Sequence, residues 1–175
     1  MTTNPTVDQM KRIPFASGFF VLVAGLLIGA AAFAADWTVY RDKSYGFSML
    51  MPAGTKFSTR EHGGGWGGMT ANFEGVRFHG IAKLGRKESD ADIEAYALRT
   101  IGIPAGAWTK VDQGTNQRGW ERYYTFRANV GAKLIFGAYG VGPQGNYLVY
   151  LETTPTDFSE HRADYDKWYA SVRLD

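Results

Sequence analysis

The sequence predicts an α+β domain, an antiparallel sheet of about six to eight strands flanked by helices. Three observations lead there. Beyond residue 36 the chain mostly alternates apolar and polar side chains at period two, and Gly, Asn, Asp and Pro interrupt it at short intervals. Two stretches leave that rhythm and repeat at helical spacing, one near residue 95 and one at the end of the chain. The strands between them are apolar on both faces, with Leu134 and Phe136 alternating against Ile135 and Tyr139. A sheet of that kind is covered on both sides.

Residues 1–34 stand outside this domain. Lys11 and Arg12 precede an apolar run from Ile13 to Ala35, which ends in small side chains before Asp36. Basic patch, apolar stretch and Ala-Phe-Ala site occur in the order of a secretory signal, with cleavage predicted between Ala34 and Ala35. The run is about 23 residues long, and about 20 suffice to cross a bilayer, so an uncleaved anchor is the alternative. Either reading puts the rest of the chain outside the cytoplasm, as a periplasmic or secreted domain, in contact with the membrane only if the anchor stays.

A single domain then spans residues 35–175. It keeps all five Trp and all ten Tyr of the chain, apolar area enough to close a core at this length. Seventeen basic groups face sixteen acidic ones. That balance lacks the clustered positive surface that nucleic-acid binding requires. The absence of cysteine excludes disulfides, thiolate metal sites, thiol nucleophiles and a thiol-linked lipid anchor.

Taken in order, Trp37 to Tyr40 and Tyr45 to Met51 predict an opening hairpin about Asp42-Lys43-Ser44, stopped by Pro52. Phe57 to Arg60 is a short third strand, followed by the segment His62-Gly63-Gly64-Gly65-Trp66-Gly67-Gly68. Trp66 to Phe73 and Val76 to Leu84 form a hairpin about Glu74-Gly75, the second strand putting Arg77, His79 and Lys83 on one face. Ser89 is a helix N-cap with Asp92 three residues on, and Ile93, Tyr96, Ala97, Thr100 and Ile101 make the apolar stripe before Gly102 and Pro104. Trp108 to Gln113, Arg118 to Asn129, Ala132 to Val141 and Tyr147 to Thr153 read as a meander, with turns at Gly114-Thr115-Asn116, Asn129-Val130-Gly131 and residues 142–146. A single closing helix starts at Thr154-Pro155 and gathers Phe158, Tyr165, Trp168, Tyr169 and Val172 on one side.

Two stretches carry a family resemblance. Trp37-Thr38-Val39-Tyr40 followed by Tyr45-Gly46-Phe47-Ser48-Met49-Leu50-Met51-Pro52-Ala53-Gly54 is similar to the entry hairpin of PsbP-like domains. Trp168-Tyr169-Ala170-Ser171-Val172-Arg173-Leu174 resembles the end of their last helix. With the element order between them, the resemblance covers Trp37 to Leu174. It implies an α/β/α sandwich around an antiparallel sheet, shared by photosystem extrinsic subunits, a Ran-binding import factor and DcrB-like bacterial envelope proteins. It also implies a domain that binds or stabilises other proteins, with no catalytic residue set to carry over. The Gly63 to Gly68 segment has no counterpart in that pattern, and the lipoprotein cysteine of many bacterial members is missing.

The candidate site residues are few. Trp66, flanked by glycines, is either a partner anchor or a core side chain. The glycine segment lacks the Lys-Ser or Lys-Thr ending of a phosphate loop and precedes a strand, so it reads as a surface loop or a glycine strand of close approach. Arg77, His79 and Lys83 either receive an acidic partner or form a solvated strand face. His62, His79 and His161 match no familiar zinc spacing, and neither a nucleophile elbow nor a carboxylate pair is present, so no metal, cofactor or catalysis is expected. The expected function is an exported, non-catalytic envelope domain that binds another protein. The alternative is a carrier of a small apolar ligand, suggested by aromatic side chains on both sheet faces.

Overall fold

A computed structural model describes residues 36–175, and the export signal expected over 1–34, with its cleavage between Ala34 and Ala35, lies outside the described residues. β1 (Trp37–Asp42) and β2 (Phe47–Pro52) pair antiparallel, Trp37 opposite Pro52 and Asp42 opposite Phe47. Asp42 makes the turn between them, its carboxylate accepting the backbone N–H groups of Ser44 and Tyr45 at 3.0 and 3.1 Å. β3 (Lys56–Gly63), β4 (Trp66–Phe73) and β5 (Val76–Leu84) form one meander. After α1 (Asp90–Ile101), β6 (Trp108–Gln117), β7 (Trp120–Val130), β8 (Lys133–Gly142) and β9 (Gly145–Thr153) form another. Pairing of β5 with β9 joins the two into a seven-stranded antiparallel sheet of order β3-β4-β5-β9-β8-β7-β6. α2 (Pro155–Glu160), α3 (Arg162–Ser171) and β10 (Arg173–Leu174) close the chain, and β10 pairs with β2 in a small sheet of order β1-β2-β10.

The glycine segment resolves into two parts. Gly64 and Gly65, with φ of 60° and 81°, are the two-residue turn that joins β3 to β4, a geometry matched to strand twist. Gly67 and Gly68 belong to β4, where a side chain on Gly68 would run into the Gly80 carbonyl of β5. Both readings of the sequence are therefore realised, in adjacent residues.

Two expected boundaries move. The turn expected at Gly114-Thr115-Asn116 is strand, because β6 stays paired with β7 through Gly114 opposite Tyr123 and Gln117 opposite Trp120. Its chain reversal falls on Arg118 and Gly119, both at positive φ (55° and 87°). The single closing helix is two helices, broken where His161 leaves helical geometry at φ −109° and ψ 24°. The break lets α2 and α3 both reach the sheet, with the Phe158 ring stacked on Tyr165 at 5.4 Å. The remaining signals hold: Ser89 caps α1 by accepting the Asp92 N–H at 3.2 Å, and Gly102 ends it in the left-handed conformation.

Alternate residues of the large sheet feed two cores. Tyr147, Val149 and Leu151 of β9 pack under α2, α3 and the small sheet, beside Phe47, Met49, Phe78, Trp168 and Val172. Leu148 and Tyr150 point the other way, into a core shared with Ile93 and Ala97 of α1. Period two in the strands and both-sided apolar composition thus become a three-layer structure.

Candidate functional site

α1 packs chiefly on β8 and β9. The β3–β4–β5 end of the same face keeps Ser58, Arg60, Asn72 and Arg77 exposed. Between the helix and the β3–β4 turn lies an open cleft of about 500 Å³. His62, Gly63 and Gly64 form one wall, Trp66 and Lys83 the floor, and Glu88, Asp92, Ala95, Tyr96, Arg99 and Thr100 the other wall. Those last five sit at helical spacing on one side of α1, while Ile93 and Ala97 of the same helix are buried.

Trp66 is 4% exposed. Its indole lies flat on the Tyr96 ring, centroids 3.8 Å apart and planes 8° from parallel. Of its two readings Trp66 packs as the core side chain: glycines give it no cover along the chain, and Tyr96 of α1 supplies it from outside. Trp66 therefore braces the cleft from below. Burial pushes the Tyr96 phenol pKa up. Burial also lowers that of His62, helped by Arg60 and His79, which leaves the imidazole neutral at pH 7.

The entry to α1 is pinned by polar contacts. Fully buried Asn146 accepts the Glu88 N–H at 2.7 Å and donates to the Lys83 and Arg86 carbonyls at 3.1 and 2.9 Å. Arg122 donates to Asp90 at 2.5 Å and to the Glu88 carbonyl at 2.9 Å. Lys83 is paired with Glu88 at 2.7 Å. The cleft wall is thus held in place before anything binds.

Of the residues expected at a site, Trp66 and Lys83 reach the cleft, and Arg77 and His79 do not line it. Arg77, His79 and Lys133 converge on Glu152 of the neighbouring strand, at 2.8, 3.1 and 3.0 Å. The hydrogen bond from His79, joined by Lys133 and Arg77, holds the Glu152 carboxyl down at about 2, against the opposing effect of burial. His79 also stacks on Tyr150 at 4.2 Å. The acidic partner expected for this strand face is supplied by the chain itself. His161 lies at the α2–α3 junction, 3.8 Å from Asp157. The aromatic side chains that suggested a ligand cavity pack on one another, Trp108 on Phe126 at 3.9 Å and Tyr124 on Tyr139 at 5.4 Å. In the sequence Asp92 reads as a capping residue and Tyr96 as part of the apolar stripe, and neither these nor Arg99 carries a site signal beyond a shared side of the helix.

The stretches that carried the family resemblance meet in space. β10 pairs with β2, and the Ser171 hydroxyl accepts the Leu50 N–H at 2.8 Å while donating to the Trp168 carbonyl at 2.5 Å. No family model and no curated protein matches the chain. The fold is PsbP-like. The structure is similar to the solution structure of cyanobacterial PsbP (CyanoP) from Synechocystis sp. PCC 6803, with a TM-score of 0.57 over 84% of this chain and 96% of that one, at 14% identity. A PsbP-like likeness at that identity is one of fold, and function has to be argued from the surface. Among the described residues no helix is long and apolar enough to cross a membrane.

Proposed function

We propose that this PsbP-like domain works outside the cytoplasm as a non-catalytic module that binds or stabilises an envelope protein, and that the cleft between α1 and the β3–β4 turn receives the partner. The preformed cleft carries the reading. It joins an aromatic brace to a mixed rim of Lys83, Glu88, Asp92 and Arg99, which suits a protein surface better than a single small ion. The titratable groups support the non-catalytic part: Lys83 is paired with Glu88, and the Glu152 carboxylate is divided among Arg77, His79 and Lys133 on a strand face that does not line the cleft. The basic, apolar and small-residue order of the first 34 residues supports export.

Half-buried Ala95 lines the cleft without belonging to a core. Replacing it with a photocrosslinking residue, in the source cell, is expected to trap one envelope protein. Ala95→Arg fills the cleft and is expected to abolish the adduct made from a second photocrosslinker at Thr100, with the melting temperature unchanged within about 0.5 kcal/mol of stability. Adduct formation that survives Ala95→Arg, or no protein adduct from either position, overturns the assignment. Recovery of the protein with the cytoplasmic fraction overturns the location.

A further inference from the structure

On the opposite face of the sheet, a groove runs between β6 and α2. Phe136 and Phe158 form its floor and Val111 one side. Arg127 of β7 and Arg162 of α3 stand over it, each guanidinium carbon 5.4 Å from the centroid of the same Phe158 ring. Two hollows of about 230 and 190 Å³ share Arg127, Phe158 and Arg162, and so make one groove. Arg162 has an exposed partner in Asp166 at 3.0 Å, whereas Arg127 has no carboxylate partner among the described residues. One ion pair, Arg162 with Asp166, engages these two permanent cations, so the Arg127 charge is unmatched by an ion pair among the described residues.

The neighbouring strand adds a second recognition element. β6 is an edge of the seven-stranded sheet, paired only with β7. An edge strand presents unpaired N–H and C=O groups to a further strand. Its register shifts between Lys110, opposite Phe126, and Asp112, opposite Thr125. The bulged residue is Val111, which lines the groove and is 51% exposed. Backbone pairing capacity, an exposed apolar side chain and paired cations therefore lie side by side.

We propose that β6 accepts an added strand from an acidic segment of another protein. Side chains on one face of that segment would place an apolar group against Val111 and Phe136 and a carboxylate between Arg127 and Arg162. A peptide suits the surface better than a lipid headgroup or a free anion, because neither of those uses the strand edge. This surface lies across the sheet from the α1 cleft, so the two assignments stand or fall separately.

The test is a titration of the isotope-labelled domain, followed by amide chemical shifts and hydrogen exchange. The probe is an octapeptide in which threonine alternates with valine and glutamate in turn, so that one face carries both apolar and acidic groups. The expected result is saturable shifts confined to β6 and the groove, slowed exchange of β6 amides, and no binding of the counterpart with lysine in place of glutamate. Arg127→Gln, which leaves Arg162 and its pair intact, is expected to weaken binding about tenfold, as for a lost charge-assisted hydrogen bond, with an unchanged melting temperature. Shifts at Arg127 and Arg162 without protection in β6 mean an adventitious anion and overturn the proposal. So does equal binding of the lysine peptide, or the absence of any saturable shift.

Discussion

The two faces of the seven-stranded sheet are covered to different extents. One face carries two helices and a three-stranded sheet, and its core runs from β2 and β4 through β9 to α3. The other carries α1, which packs chiefly on β8 and β9, and the stretch after it, where Ile103 and Ala107 join the core of that face. At the border of α1, Trp66 stacks on Tyr96 at the edge of this core, and the cleft opens beside it. A fully covered face is closed by its own chain, while a partly covered one keeps pre-shaped surface for something else. The α3 side is thus closed by the chain itself except at the groove by the β6 edge, whereas the α1 side keeps an open, pre-shaped cleft.

The sharpest test of that contrast compares two tryptophans. Trp168, 0% exposed and packed against Phe78 at 5.4 Å, is expected to cost about 3–5 kcal/mol when replaced by Ala. Trp66→Ala opens into the cleft and so leaves no sealed cavity, and it is expected to cost less, about 2 kcal/mol. Urea denaturation of both variants gives the answer, and equal losses would show that the α1 face is as tightly closed as the other. Next in size is Gly68→Ala, expected to destabilise by about 3 kcal/mol at most. The new methyl group meets the Gly80 backbone and cannot rotate away from it. A loss of this size measures how closely β4 and β5 are held on the half of the sheet that α1 leaves uncovered.

Acid should separate the faces further. Folding lowers the Glu152 carboxyl from its ordinary 4.5 to about 2, chiefly through His79. A depressed carboxyl stabilises the fold above pH 4.5, and that contribution is lost as the pH falls toward 2. Glu152→Gln is expected to lie below the parent by up to about 2 kcal/mol at pH 6 and to converge with it near pH 2 in stability curves. Parallel curves would show that the cluster does not tie β5 to β9. The smallest effect is expected of Ser171→Ala, about 1 kcal/mol from the hydrogen bond to Leu50, read as a shift in melting temperature. A loss above that would mark Ser171 as a main link between α3 and the small sheet.

Much of this was legible in the residues themselves. Ser89 and Gly102 bound α1 because a cap and a left-handed glycine act within one turn of chain. Pro155 and Thr154 start α2 for the same local reason. The β4–β5 hairpin follows from Glu74-Gly75, whose positive φ values suit a two-residue turn. The misplaced boundaries have a common origin. Gly114-Thr115-Asn116 carries turn residues, yet β6 continues because pairing with β7 outweighs local preference. His161 has no breaker chemistry, and the helix parts there because Phe158 and Tyr165 must both reach the sheet.

By itself the sequence determined the alternation of strands and helices, the two-sided core and the α+β class, since period, caps and turn residues act over a few neighbours. It also carried the two stretches whose PsbP-like pattern the fold bears out. Only the tertiary structure decided which charges were already answered within the chain, as Arg77 and His79 by Glu152, and which aromatic had cover, as Trp66 by Tyr96. It alone brought Arg127 and Arg162 over one ring. Those pairings join residues tens of positions apart, and their energies depend on distance and burial, which no local pattern of residues encodes.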